Sequence, residues 1–162
     1  DNDDCDKGFF CLTKTSGDTG MGVCKKLCDI NDPGDCGDGK CIPWNDGTNP
    51  TCEYSCDPLI QDCVNEGCYP STDGFICHGI GAPDGSGNDG DSCRTIQSCQ
   101  PGLLCTSAAN LADCTGTSCC TLVCDTNETG VCTAMGEECV PYFDDGTAPP
   151  GQENIGICAI PM

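Results

Sequence analysis

The sequence predicts a small disulfide-rich protein, built from tandem loop-rich modules with short β-strands and little helix. Its 162 residues include 21 cysteines, a proportion typical of a disulfide scaffold. Other apolar residues are sparse, with one Trp, three Tyr and four Phe. Because such a chain cannot bury a large core, cross-links must take the place of burial.

The spacing of the cysteines favours disulfides over metal or redox sites. No two cysteines are spaced as C-x-x-C, which is typical of zinc ribbons, iron–sulfur clusters and thioredoxin-like sites. Disulfides persist outside the cytosol, so we expect an exported protein that is extracellular or on the cell surface. The sequence starts at Asp1 without an apolar leader and has no run of about 18 apolar residues, so we expect a processed chain without a membrane span.

An internal repeat organises the cysteines into modules. Residues 24–52 and 120–158 share C-x3-C-D-x-N-x-x-G, then a third cysteine, a fourth that opens C-[IV]-P-[WY], an Asp-Gly-Thr turn, a proline and a closing cysteine. Residues 52–77 carry a shorter copy. The long copies follow similar leads, C-D-K-G-F-F-C and C-Q-P-G-L-L-C. We therefore divide the chain into two modules within residues 1–78 (about 5–52 and 52–77), a Gly/Asp/Ser linker over 79–92, and an extended third module over 93–162.

Turn signals place short elements within these modules. Asp-Gly and Asn-Asp-Gly turns bound four strand candidates, which are Gly39–Pro43, Gly74–His78, Glu138–Tyr142 and Ile155–Ile160. The best helix candidate is the short segment Ser107–Asp113.

The repeat also constrains the disulfides, although spacing alone leaves nested, sequential and crossed pairings open. Each module contains a quartet of cysteines, and we predict that the first pairs with the third and the second with the fourth. The predicted bonds are Cys28–Cys41, Cys36–Cys52, Cys56–Cys68, Cys63–Cys77, Cys124–Cys139 and Cys132–Cys158.

The odd number of cysteines requires at least one without a partner in the chain. Outside the quartets, an even set lies behind the linker, whereas Cys5, Cys11 and Cys24 in front of it cannot all pair. Cys93 precedes Cys99, but no cysteine stands at the matching place before Cys5. We therefore expect Cys5 to be the odd cysteine, which lost its partner to processing or truncation or forms a bond between molecules.

The charge of the chain is strongly negative. Six Lys and Arg face 26 Asp and Glu, a formal net charge of -20. Phosphates of nucleic acids and anionic membrane surfaces repel such a chain, so we expect no nucleic-acid partner, while cations and basic proteins are attracted.

Calcium is the one cofactor for which the sequence offers candidate ligands. Asp29 and Asn31, and likewise Asp125 and Asn127, place oxygen side chains at alternate positions before a glycine. Neither segment has the third carboxylate or the later bidentate Glu of an EF-hand loop. An Asx turn explains the same residues, and we favour the turn.

Two further patterns have a structural and a functional interpretation. The turns at Trp44 and at Tyr142–Phe143 place aromatic rings beside carboxylates, which suits ligand stacking but also packing over the disulfides, and we favour packing. Asn127-Glu-Thr129 is a sequon, so Asn127 is a candidate glycosylation site.

Catalysis finds little support, and we expect a protein that is not an enzyme. His78 is the single histidine, which excludes zinc sites built on two or three histidines and leaves little for a Ser-His-Asp triad. The G-x-S-x-G and H-E-x-x-H motifs are absent from the sequence.

The motifs C-Q-P-G-L-L-C, C-C-x3-C-D and C-V-P-Y-F-D-D-G-x-A-P-P-G, with G-I-C-A-I-P near the end, resemble those of cysteine-rich exported proteins of myxobacteria and their relatives. Some members of that group carry a ribulose-phosphate epimerase label. Such an enzyme resembles a β/α barrel with histidine metal ligands, which conflicts with one histidine and no barrel pattern. The resemblance therefore implies export and brings no site residues with it.

The sequence thus predicts a secreted, acidic, disulfide-stapled structural or surface protein. We expect it to self-associate as a homo-oligomer or to join an extracellular assembly, with a filament as one outcome. The alternative is an extracellular binding module, acting in calcium-dependent adhesion or as an inhibitor-like knot that presents a loop such as Gln100–Leu104.

Overall fold

The computed structural model describes residues 5–13, 22–32, 34–43, 49–72, 74–79 and 87–161. Within these ranges the chain forms ten short strands and two single 3₁₀ turns, at Ile96–Ser98 and Ala108–Asn110. This small, disulfide-rich arrangement with almost no helix confirms the predicted fold class. The strands are β1 (Phe9–Thr13), β2 (Gly22–Lys26), β3 (Lys40–Ile42), β4 (Thr51–Glu53), β5 (Gly67–Ser71), β6 (Gly74–His78), β7 (Leu103–Ser107), β8 (Ser118–Asp125), β9 (Glu138–Pro141) and β10 (Ile155–Ala159).

The C-terminal half forms one antiparallel sheet in the order β7-β8-β10-β9, which we call the C-terminal sheet. All five residues of β10 are buried, because this strand is central in the sheet and covered by side chains. Leu104, Val123, Ile155 and Ile157 form most of the apolar core here. The chain is poor in apolar side chains, and its few aliphatic residues are used here.

The N-terminal half has the same order of strands but a weaker connection between them. β1 pairs with β2, β3 pairs with β4, and a single bridge between Leu27 and Thr51 joins the two hairpins. The corresponding strands of the C-terminal sheet, β8 and β10, pair over three residues. We call β1-β2-β4-β3 the N-terminal unit. A third hairpin, β5-β6, follows it.

Ten disulfides join these strands to the neighbouring loops and, between Cys124 and Cys139, one strand to another, and their pattern agrees with the crossed pairing expected from the repeat. The six bonds of the quartets are Cys28–Cys41, Cys36–Cys52, Cys56–Cys68, Cys63–Cys77, Cys124–Cys139 and Cys132–Cys158. The other four are Cys5–Cys24, Cys93–Cys105, Cys99–Cys120 and Cys114–Cys119. Peptide mapping of the oxidised protein tests this connectivity.

The assignment of Cys5 as the odd cysteine, which lost its partner or bridges molecules, is wrong, because Cys5 is bonded to Cys24. The cysteine outside the ten bonds is Cys11, which is buried in β1. The expectation sought a partner upstream of Cys5, whereas the partner of Cys5 lies in β2.

The hairpins β1-β2 and β7-β8 show which of their cysteines correspond. Cys11 faces Cys24 in the first hairpin, as Cys105 faces Cys120 in the second. Cys11 is therefore the counterpart of Cys105. Cys5 is in turn the counterpart of Cys99, the residue that is bonded to Cys120.

The β5-β6 hairpin packs against the C-terminal sheet. The ring of Phe75 contacts those of Tyr142 and Phe143, at centroid distances of 5.2 and 6.2 Å. Gln152 donates to the carbonyl of Cys56 at 3.0 Å and accepts from the backbone N–H of Phe75 at 3.1 Å. The buried hairpin therefore shares its core with the C-terminal sheet.

The buried Tyr69 makes a second contact between the two regions. Its hydroxyl donates to the carbonyl of Cys99 at 3.1 Å. Residues 87–92, at the end of the predicted linker, also lie against the C-terminal half, where Gly90 and Asp91 hydrogen-bond to the backbone of Cys120. Residues 87–92 are therefore packed on the C-terminal half.

The predicted elements correspond to the structure where a turn signal bounds them. β6 has the predicted bounds, and β3, β9 and β10 lie inside the predicted ranges. Of the helix candidate Ser107–Asp113, one or two turns at most, the structure forms a single 3₁₀ turn at Ala108–Asn110, which Ser107 caps at the end of β7. So short a segment has too few hydrogen bonds to offset the cost of helix nucleation.

Candidate functional site

Among the described residues, the most exposed group of large apolar side chains on one loop lies between β4 and β5. Leu59, Ile60 and Val64 are 38, 70 and 82 % exposed within residues 57–66, which we call the apolar loop. Isolated exposed apolar residues are ordinary, but three on one short loop are a candidate contact surface.

The apolar loop is held in one shape from within. The Asp62 carboxylate accepts from the backbone N–H of Asp57 at 3.1 Å, and that of Asp57 accepts from Leu59 at 2.9 Å. Gln61 donates to the carbonyl of Pro58, a fully buried residue, and accepts from the backbone N–H of Cys68. The apolar side chains are therefore exposed on a fixed backbone.

Backbone strain is concentrated in the same loop. Gln61 and Asn65 have φ values of 52° and 60°, and they are the non-glycine residues with positive φ in the described part of the chain. This left-handed region is unfavourable for residues with a Cβ, and it persists only where the surroundings hold it. Here the disulfides of Cys63 and Cys68 supply that constraint.

A buried cluster of charges lies beside this loop. The Lys25 ammonium, on a side chain only 5 % exposed, lies 2.6 Å from Glu53 Oε2 and 2.7 Å from Glu66 Oε1. Lys25 also donates to the carbonyl of Cys77 at 3.1 Å. Glu53 is fully buried and accepts from the Thr51 hydroxyl at 2.9 Å. We call Lys25, Glu53 and Glu66 the buried charge cluster.

His78 lies within the electrostatic field of this cluster. Burial lowers the pKa of the His78 imidazole below its usual range, and the Lys25 charge lowers it further, while Glu66 acts in the opposite direction. The neutral ring is therefore favoured at neutral pH. His78 is therefore a neutral neighbour of the buried charge cluster.

The candidate calcium ligands form Asx turns. The Asp29 carboxylate accepts from the backbone and side-chain N–H groups of Asn31 at 2.9 and 3.1 Å. Asp125 accepts in the same way from Asn127 at 2.8 and 2.9 Å. One oxygen of each carboxylate is thus engaged by an N–H donor. Calcium binding stays a prediction, which the shift of Tm on adding Ca²⁺ or EDTA measures.

The remaining sequence-based candidates are the two aromatic turns and the glycosylation site. Tyr142 and Phe143 pack on Phe75 beside the core, and burial raises the pKa of Tyr142. Trp44 lies outside the described residues. Asn127 is exposed on its turn, which leaves its glycosylation a prediction.

The segment Gln100–Leu104, expected as the place for an inhibitor-like loop, is a tight turn into β7. Leu103 donates its backbone N–H to the carbonyl of Gln100 at 3.0 Å, and Gly102 has a φ of 89°. Leu104 is buried in the core. The exposed part of the segment is thus Gln100 and Pro101, and an inhibitor-like role for it stays a prediction.

Two open clefts on the C-terminal half have acidic linings. The larger, of about 460 Å³, is lined by Glu128, Glu137 and Glu138. The smaller, of about 210 Å³, shares Glu137 with it and adds Asp89 and Asp113. Glu137 also accepts from the backbone N–H of Ala112 at 2.8 Å.

Four groups of three cysteine sulfurs lie within 4.8 Å of one another in the described residues. Each group belongs to two adjacent disulfides. A thiolate is the cysteine form that binds metals, so in the oxidised protein these sulfurs are structural.

Comparisons with known proteins add no relative to this description. No family model, curated protein or solved structure matches the chain. Among the described residues, no helix has the length and apolar character needed to cross a membrane.

Sequence reasoning did not identify the apolar loop or the buried charge cluster. The signal for the loop was the dipeptide Leu59-Ile60 between two cysteines, in a chain where exposed apolar residues are unexpected. Lys25 gave a weaker signal, as a basic residue flanked by Cys24 in an overwhelmingly acidic chain.

Proposed function

We propose that this protein is a non-enzymatic, extracellular structural protein that self-associates through the apolar loop as part of a surface assembly. The observation that carries the proposal is the exposure of Leu59, Ile60 and Val64 on a loop with a fixed backbone. The ten disulfides fit an oxidising compartment. The resemblance to exported cysteine-rich proteins points in the same direction.

A rigid apolar loop is suited to association. Binding normally costs the entropy of ordering loops and side chains at the interface. The Asp57–Asp62 and Gln61–Cys68 hydrogen bonds have already ordered this backbone within the chain. More of the free energy from burying Ile60 and Val64 is then available for binding.

The charge of the chain regulates this association. Two copies that each carry a net charge of -20 repel one another. The screening length falls from about 30 Å in 0.01 M salt to about 3 Å in 1 M salt. We therefore expect association to strengthen with salt, whereas contacts between opposite charges would weaken.

The contact can be closed or open. If the apolar loops of two copies meet face to face, the result is a dimer. If the loop binds a different surface of the next copy and the rotation does not close, the result is a filament.

Sedimentation and light scattering over a concentration series, in low and high salt, test the proposal. We expect a larger average mass in high salt for the wild type, and a monomer at all concentrations for the double variant Ile60→Asp/Val64→Asp. Met135→Asp is the matched control, because Met135 is 93 % exposed on a different loop.

A wild type that stays monomeric in high salt would overturn self-association. Loss of association in the Met135→Asp control as well would show that added charge, and not the apolar loop, is responsible. A monomer whose apolar loop binds another extracellular protein would instead support the binding-module alternative.

A further inference from the structure

The buried charge cluster is unusual because the equivalent place in the C-terminal sheet carries no charge. The cysteines align C-K-K-L-C (24–28) with C-T-L-V-C (120–124), and Cys52 with Cys158. The strand pairing agrees with this alignment, since Leu27 faces Thr51 as Val123 faces Ile157.

This alignment places Thr121 at the position of Lys25 and Ala159 at that of Glu53. Both are buried, and the Thr121 hydroxyl donates to the carbonyl of Cys158 at 2.6 Å. The same strand arrangement therefore forms without an ion pair. Because a buried ion pair is often no more stabilising than apolar residues of similar volume, stability alone is a weak reason for the cluster.

We propose that Lys25 and Glu53 condense to an intramolecular isopeptide bond, with the Glu66 carboxylate transferring the proton. Lys25 and Glu53 lie opposite one another on β2 and β4, and their reacting groups are already in contact at 2.6 Å. Burial excludes bulk water from the pair. Groups held together in a fold react with effective concentrations of about 10⁵ M or more, which favours condensation.

The step balances without any further reactant. The Lys25 ammonium gives one proton to the Glu53 carboxylate, which leaves an amine beside a carboxylic acid. The amine nitrogen attacks Cδ of Glu53 and forms the C–N bond. Glu66 takes the second proton from nitrogen and returns it to the departing hydroxyl, and the C–O bond breaks with release of water.

The surroundings distinguish the two carboxylates. Glu53 is fully buried, and its second oxygen accepts from the Thr51 hydroxyl at 2.9 Å, a donor that stabilises negative charge forming on that oxygen. Glu66 is 10 % exposed and has both oxygens within 2.9 Å of the Lys25 nitrogen, which suits proton transfer. Glu53 is therefore the acceptor and Glu66 the catalytic carboxylate.

The bond would join two strands that share few backbone hydrogen bonds. Between β2 and β4 the backbone pairs at Leu27 and Thr51 alone, with one further bond from Cys28 to Pro50. An amide between Lys25 and Glu53 would join these strands covalently, and its formation removes a buried ion pair.

Mass spectrometry of the folded protein, afterwards reduced and alkylated, tests the proposal. We expect the wild type to lack the mass of one water molecule relative to its sequence. Trypsin should fail to cleave after Lys25, and tandem spectra should show a branched peptide that joins Lys25 to Glu53. The reduced chain before folding should have its full mass.

Three variants separate this reaction from other losses of water, such as succinimide formation. Lys25→Arg keeps the charge but lacks the amine, Glu53→Ala lacks the acceptor, and Glu66→Gln lacks the proton carrier. All three should have the full mass, with the normal disulfide map as the control for folding. A wild type with full mass and normal cleavage after Lys25, or a water loss that persists in Lys25→Arg, would overturn the proposal.

Discussion

The N-terminal unit and the C-terminal sheet share a strand order and a pattern of cysteines, but they are stabilised differently. In the C-terminal sheet, β8 and β10 pair over three residues and bury Val123, Ile155 and Ile157. In the N-terminal unit, one bridge joins the hairpins, and Lys25 and Glu53 occupy the interior. Disulfides can therefore fix an arrangement of strands whose interior is either apolar or charged.

Removing equivalent disulfides from the two units should have the largest effect on the free energy of unfolding and should separate the units most clearly. Cys36→Ser/Cys52→Ser and Cys132→Ser/Cys158→Ser should each cost about 2–5 kcal/mol of unfolding free energy. We expect the first pair to abolish amide-exchange protection at the junction of β2 and β4, because a single bridge joins these two strands. The second pair should leave protection in β8 and β10, whose ladder remains. Equal loss of protection in both units would contradict the comparison.

Truncating equivalent buried residues should have the next largest effect. Relative to Lys25→Arg, which keeps the charge without the proposed amide, Lys25→Ala should lower the unfolding free energy by about 3–5 kcal/mol, because it leaves two carboxylates in a buried place without their counter-ion. Thr121→Ala, at the equivalent position, removes one hydrogen bond and should cost about 1 kcal/mol. Urea unfolding of both variants measures the difference. Similar losses would mean that the buried charge cluster is solvated.

Gln152 tests how strongly the β5-β6 hairpin depends on the C-terminal sheet. Gln152→Ala removes the partners of the Phe75 N–H and the Cys56 carbonyl, both buried, and should cost about 1–3 kcal/mol. We expect faster amide exchange at Phe75, with exchange in β1 and β2 unchanged. Gln97→Ala, at a half-buried glutamine in the 3₁₀ turn Ile96–Ser98, is the control and should change neither measurement.

Alkaline pH should produce a smaller loss of stability, and the direction of a pKa shift predicts it. Burial raises the pKa of the Tyr69 phenol to about 12. Between the unfolded value of 10.0 and about 12 the folded state holds a proton that the unfolded state has lost, so stability falls as pH rises through this window. Tyr69→Phe should flatten the fall in Tm above pH 10. An unchanged slope in this variant would assign alkaline unfolding to other groups.

The sequence predicted those parts of the fold that turns and cysteines specify locally. Asp-Gly turns bounded β6 and indicated β3, β9 and β10. Six strands were missed, because few of their apolar residues alternate with polar ones and their cysteines do not recur at every second residue. These strands are β1, β2, β4, β5, β7 and β8. The repeat suggested the crossed disulfide pattern but misassigned Cys5, because a partner was sought upstream of it, whereas Cys5 is bonded to Cys24 as its counterpart Cys99 is bonded to Cys120.

The candidate sites were less accessible to sequence reasoning. Lys25 lies 28 residues from Glu53 and 41 residues from Glu66, so no local pattern connects them. Leu59 and Ile60 could have been core residues. Only the tertiary structure, in which Pro58 is buried and the next two residues are exposed, shows that these two side chains face outward.

By itself the sequence determined the class of the protein: a cross-linked, acidic chain for an oxidising compartment, with short strands and little helix. Composition suffices for this because too little apolar surface is available for a large core. Tertiary structure decided which cysteine the disulfides leave out, which apolar side chains are exposed, and which charges are buried together. These properties depend on contacts between distant strands, and such contacts are set by the register of each hairpin and by the packing of β5-β6 on the C-terminal sheet.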